Sequence, residues 1–151
     1  MGAVTYPNAE VCSYIAEHFV PVQYNVVEQP DAMRWFNSAW TPTILIQDAD
    51  GREHRRTHGY LDPRRMVAEL ALGRLQAAID RQDFQQATAL SEEALSRCHG
   101  DPEREPEAQY WASVAAYKAT NDTSKLLEGW NILLNRYPDS EWAHRAEFIR
   151  K

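Results

Sequence analysis

Cysteine is scarce in this chain of 151 residues, which holds only Cys12 and Cys98. No Cys-x-x-Cys occurs, and the two thiols are too far apart in sequence to repeat a metal-ligand spacing. Dithiol chemistry and a cysteine metal site are therefore excluded on these residues, and both cysteines are expected as thiols, since a disulfide is unusual in a cytosolic chain. Lysine is scarcer than its partner cation, with 3 Lys against 13 Arg, and the net charge is −6. Without a broad basic field, nucleic acid and anionic membrane surfaces are excluded as partners. No apolar run approaches the roughly 20 residues of a membrane helix, and the start lacks the basic-then-apolar layout of a secretory signal. Taken literally, that places the protein in the cytoplasm. No cofactor motif stands out, and no cofactor is expected.

What is present is ordinary for a globular chain: 44% hydrophobic and 25% charged residues, enough for one domain or two small ones. Asn8 is a plausible N-cap, and Cys12, Ile15, Ala16 and Phe19 follow at i, i+3, i+4 and i+7, which predicts a helix with Cys12 on its buried stripe. A strand is expected from Phe19-Val20-Pro21-Val22 to Val27, then a helix around Asp31 to Asn37. Trp40-Thr41-Pro42-Thr43 leads into the apolar strand Ile44-Leu45-Ile46. The Asp50-Gly51 pair supports a tight hairpin turn, and a second strand runs from Arg52 to His58. Two histidines, His54 and His58, alternate onto one face there. Four residues of strand span about 13 Å, too far for both to hold one metal ion, so the charged strand reads as a solvated, self-protecting edge.

From Pro63 onward the pattern is helical. Met66 or Val67, Leu70, Ala71, Leu75, Ala78 and Ile79 mark one amphipathic helix, and Ala87, Leu90, Ser91, Ala94 and Leu95 mark another after Asp83-Phe84. Beyond a polar link from Cys98 to Pro106, the stretch around Tyr110-Trp111 and the stretch from Leu126 to Leu134 give two more. Trp111, Tyr117 and Trp130 are expected in the core.

The order helix, strand, helix, Thr-Pro-Thr hairpin and helix over residues 3–80 resembles the C-terminal half of a thioredoxin-fold domain. The fold class expected is α/β, an incomplete thioredoxin-like fold (residues 1–80) followed by an all-α region (81–151). That second region, from Asp83-Phe84 to Tyr137-Pro138-Asp139-Ser140, is similar to tetratricopeptide repeats, which present surfaces to peptides. The resemblance implies a cis Thr41-Pro42 bond, the alternative being a trans proline opening an edge strand. It implies too a substrate-binding loop at Trp40, Thr41 and Pro42, where the Thr41 backbone pairs with an extended chain. Intact relatives would be thiol–disulfide oxidoreductases using a low-pKa cysteine and a resolving cysteine. This chain has neither in place, so no catalytic residue is assigned and it is expected to lack dithiol reductase activity. The competing expectation is a non-catalytic module binding a protein or peptide.

The same resemblance implies a missing central strand between residues 20–27 and 43–47, whose unpaired backbone groups would cost about 1–3 kcal/mol each. Three resolutions stay open. A strand and redox motif precede Met1, an expectation ranked first because Met1-Gly2-Ala3-Val4 reads as the tail of a helix. Alternatively the two strands close up, or a second subunit supplies the missing edge as a homodimer.

Overall fold

The computed structural model describes residues 1–150, with the side chain of Arg150 excepted. Among them seven α-helices and two strands follow one another: α1 (Ala9–His18), α2 (Asp31–Trp35), β1 (Thr43–Gln47), β2 (Glu53–His58), α3 (Pro63–Asp80), α4 (Phe84–Cys98), α5 (Arg104–Thr120), α6 (Thr123–Arg136) and α7 (Glu141–Ala146), with a final 3₁₀ turn at Glu147–Arg150. The protein is thus mixed α/β and mostly helical, with one two-stranded antiparallel sheet. It divides into two compact units, Met1–Val67 and Ala68–Lys151, with the division inside α3.

In the first unit, Asn8 caps α1 as its side chain accepts from the Glu10 and Val11 N–H groups, satisfying donors that a helix start leaves unpaired. The buried face of α1 is carried by Val11 and Tyr14, not by Cys12, which is exposed. Val11, Tyr14, Ile15 and His18 have the same i, i+3, i+4, i+7 spacing one residue earlier. That register buries a valine and a tyrosine in place of a cysteine and an alanine, which removes more apolar area from water. Thr5 is fully buried and its hydroxyl donates to the Leu61 carbonyl, tying the chain start to the approach of α3.

The strand expected over residues 19–27 is absent. After α1, Phe19 is extended (φ −137°, ψ 157°), but residues 20–25 join no sheet and are all exposed. A strand forms only where a neighbour takes up its backbone groups, and here none does. The predicted second helix is shorter than expected, ending at Trp35, and Asn37 takes a left-handed conformation (φ 46°) before the chain turns toward β1.

The hairpin register pairs Thr43 with His58 and Ile46 with Arg55, then shifts so that Gln47 faces Glu53. His54 is the extra residue of this bulge. A bulge re-aims the side chain it inserts, and His54 turns inward, its side chain 0% exposed, to meet Asp48 at 3.1 Å. The solvated strand read from alternation is therefore corrected at His54.

In the second unit, the α3 residues Leu72, Leu75 and Ala78 pack with Ala87 and Ala94 of α4 and Ala108 and Ala115 of α5. Each fully buried leucine contributes about 1.5–3 kcal/mol relative to exposure. Asp83, Asp122 and Ser140 cap α4, α6 and α7 through their side chains. A second apolar cluster joins Trp130, Leu133 and Leu134 of α6 to Ala143 and Ala146 of α7. Trp130 lies stacked against Tyr110 with ring centroids 5.2 Å apart, while Trp111 and Tyr117 are half-buried. Arg104, buried, joins the Glu69 carboxylate at 2.7 Å and Asp101 at 3.5 Å, linking α3 to the start of α5.

Candidate functional site

The loop expected to bind substrate lies where the sequence placed it, between α2 and β1. Its Trp40 side chain is 66% exposed. Thr41 and Pro42 are exposed as well, and the bond between them is cis. Three side chains hold the loop from beneath. The Thr43 hydroxyl donates to the Trp40 carbonyl (2.6 Å), and the Ser38 hydroxyl sits 2.9 Å from Thr43 Oγ1. The third is His58, whose Nδ1 lies 2.9 Å from Thr43 Oγ1. The far side of the loop is fixed by the Gly59 N–H, which donates to the Pro42 carbonyl at 2.8 Å.

Arg56 secures the approach to the loop. Its guanidinium donates to the Phe36 and Asn37 carbonyls at 2.8 and 3.1 Å while holding both oxygens of Glu53. The hydrogen bond from Arg56 keeps the Glu53 carboxyl below the usual range, and Glu53 in turn raises Arg56. At the hairpin turn, the backbone N–H of Arg52 leads the groups that lower Asp48, followed by His54 and the Asp50 N–H. These charges are spent on shaping the hairpin.

The Gly59-to-Pro42 bond also sets the parity of the ladder. With Pro42 opposite Gly59, the bonded pairs continue at Ile44 and Ile46, so the backbone groups of Thr43, Leu45 and Gln47 point away from β2. Among the described residues the sheet has no third strand, and no hydrogen bond engages those outward groups. Nearby in sequence, the exposed residues Val20, Val22, Tyr24, Val27, Trp35 and Trp40 add apolar surface to the same unit. The unpaired edge of β1, the exposed Trp40 loop and an uncharged stretch from residue 35 to 47 thus fall within one unit.

No protein-family model matches the sequence, and no curated protein or solved structure gives a significant match.

The cysteines stand apart from this loop chemically. Cys12 is exposed and its Sγ contacts the Tyr6 carbonyl at 2.8 Å, whereas Cys98 is buried in the α3–α5 cluster. No group of three or more His, Cys, Asp or Glu side chains converges as metal ligands among the described residues. No helix among them is long and apolar enough to cross a membrane.

Sequence reasoning missed a polar cluster in the second unit. Burial works against the charge of Glu105, yet bonds from the Tyr137 hydroxyl, the Gly100 N–H and His99 hold its carboxyl below the ordinary value. Burial, then the Glu105 carboxylate, pushes the Tyr137 hydroxyl up to about 12. His99-Gly100 and Glu105 flank the polar link, but nothing in their spacing announces that Tyr137 joins them from the end of α6. The cluster lines a cleft of about 390 Å³ with Gln109 and Arg136. Its polar groups satisfy one another, which reads as a staple between the α4–α5 link and α6.

Proposed function

We propose that the first unit is a thioredoxin-like module that binds extended polypeptide at the Trp40–Thr41–Pro42 loop and the open edge of β1, without carrying out dithiol exchange on its own cysteines. The observation that carries the reading is the unpaired outward backbone of Thr43, Leu45 and Gln47 beside an exposed Trp40. Strand addition supplies affinity through main-chain bonds, and an exposed indole supplies an anchor with few rotamers to immobilise. The helix, hairpin and helix order around the loop supports kinship with thiol–disulfide oxidoreductases. In that chemistry a thiolate attacks a disulfide and a second cysteine resolves it. Cys12 and Cys98 do not stand in that relation.

The second unit is proposed as a tetratricopeptide-like scaffold. Support comes from α4, α5 and α6 packing each on the next, with short links between them and Asp122 capping α6.

Two assays on the chain test the reading. Insulin reduction by dithiothreitol should proceed no faster with the protein than without it. Reduced, carboxymethylated insulin B chain, an extended polypeptide without disulfides, should change Trp40 fluorescence and bind about tenfold more weakly to Trp40→Ala, the loss expected for truncating an aromatic anchor. Accelerated insulin reduction would refute the non-catalytic assignment; undiminished binding by Trp40→Ala would remove the loop from the site.

A further inference from the structure

The open edge of β1 is complementary to itself. Its outward residues, Thr43, Leu45 and Gln47, are spaced evenly about Leu45, and all present both an N–H and a C=O with no hydrogen-bond partner among the described residues. Antiparallel pairing of two such edges sets Leu45 opposite Leu45 of a second copy, and Thr43 opposite Gln47 in both directions. Each pairing exchanges two bonds, so every outward group on both edges is satisfied with none left over.

Charge points to the same occupant. Residues 35–47 contain no charged side chain, so this stretch brings no like charges face to face when two copies of a chain of net charge −6 meet there. Edge strands ordinarily carry lysine, proline or an interrupting bulge against such pairing. The edge of β2 is guarded in this way by Glu53, Arg55 and Arg56 and by the bulge at His54, whereas β1 carries no charge, proline or inserted residue within Thr43–Gln47.

We infer that the protein forms a two-fold symmetric dimer in which β1 pairs antiparallel with β1 of a second copy, joining the two hairpins into one four-stranded sheet ordered β2-β1-β1-β2. The contact is isologous and closes on itself, so it yields a dimer and not a fibre. It covers the edge assigned above to polypeptide binding, so extended polypeptide and dimerisation compete. The inference shares that edge with the proposed function but does not depend on it.

Sedimentation velocity on the full chain over a roughly hundredfold concentration range reads the equilibrium directly, because dimer stability is tied to protomer concentration. Wild type should shift from monomer to dimer across that range. Leu45→Lys and Leu45→Glu each place like charges opposite one another at the two-fold axis and should weaken association about tenfold or more. An equimolar mixture of the two should recover it, a rescue that only a residue facing its own copy can show. Circular dichroism confirms that the variants are folded. If neither folds, Leu45→Cys in a Cys12→Ser background supplies the second measurement. Opposed residues of a bonded pair lie about 5.5 Å apart, within disulfide reach, so mild oxidation should give a covalent dimer in high yield. A wild type that stays monomeric throughout, a mixture without rescue, or an absent Leu45→Cys cross-link overturns the dimer. A monomer that still binds carboxymethylated B chain does so while leaving the proposed function standing.

Discussion

Glu105 shows how single residues set the pH response of the second unit. Its folded pKa lies below the ordinary 4.5, so its contribution to stability is present above that value and lost as the pH falls through the folded one. Thermal unfolding followed between pH 7 and pH 3 should show this loss in wild type and a flatter profile in Glu105→Gln. Gly129 makes a steric prediction of the same kind. A Cβ built there lies 2.1 Å from Ser113 Oγ, because α5 and α6 cross at this point and Gln109 donates to the Gly129 carbonyl at 3.3 Å. Gly129→Ala should cost about 1–3 kcal/mol by overpacking, measured by urea unfolding, and Ser113→Gly should restore part of the loss. The thiols should separate under iodoacetamide: exposed Cys12 labels in the native protein, and buried Cys98 waits for denaturant.

Among elements, the link from α3 to α5 rests on a buried charge. Arg104→Met removes the 2.7 Å partner of the Glu69 carboxylate in a site where both side chains are about nine-tenths covered. A loss on the order of 3–5 kcal/mol is expected, with Glu69→Gln/Arg104→Met losing less than the two single changes together. Equilibrium unfolding of the four species closes that cycle. This long-range pair was illegible in the sequence, because it joins residues 35 positions apart with no periodic signature. The helices themselves were legible: α3 begins at Pro63 and α4 follows Asp83 as caps and spacing required, since both signals are local. The hairpin and the exposed Trp40–Pro42 loop were legible for the same reason. What misled were degenerate patterns. Adjacent apolar residues at Val11 and Cys12 allowed two helical registers, and only packing chose between them. Residues 19–25 had strand composition, but a strand also needs a neighbour, which composition does not report. The bulge at His54 broke the alternation that had set it on one face with His58, and Arg55, Arg56 and Thr57 are half-buried where a solvated strand was expected.

At the scale of the whole molecule, the two units differ in how their surfaces are finished. Most exposed large apolar side chains of the described residues belong to the first unit, Trp35 and Trp40 among them, while Trp111, Trp130 and Trp142 join an aromatic cluster with Tyr110 in the second. Iodide quenching of tryptophan fluorescence should therefore be biphasic, and Trp35→Phe/Trp40→Phe should abolish the readily quenched fraction. Hydrogen exchange should show the same contrast, with α5 and α6 amides protected and those of residues 20–25 exchanging close to the free-chain rate. That last segment bears on the lifetime of the protein. Val20-Pro21-Val22-Gln23-Tyr24 is exposed, lies outside any helix or strand and makes no backbone–backbone hydrogen bond among the described residues, so a protease can take it into an active-site cleft with little prior unfolding. Cleavage after Tyr24 by chymotrypsin would be expected before any cut within the helices, and turnover would then follow the accessibility of one short stretch more closely than the global stability of the fold.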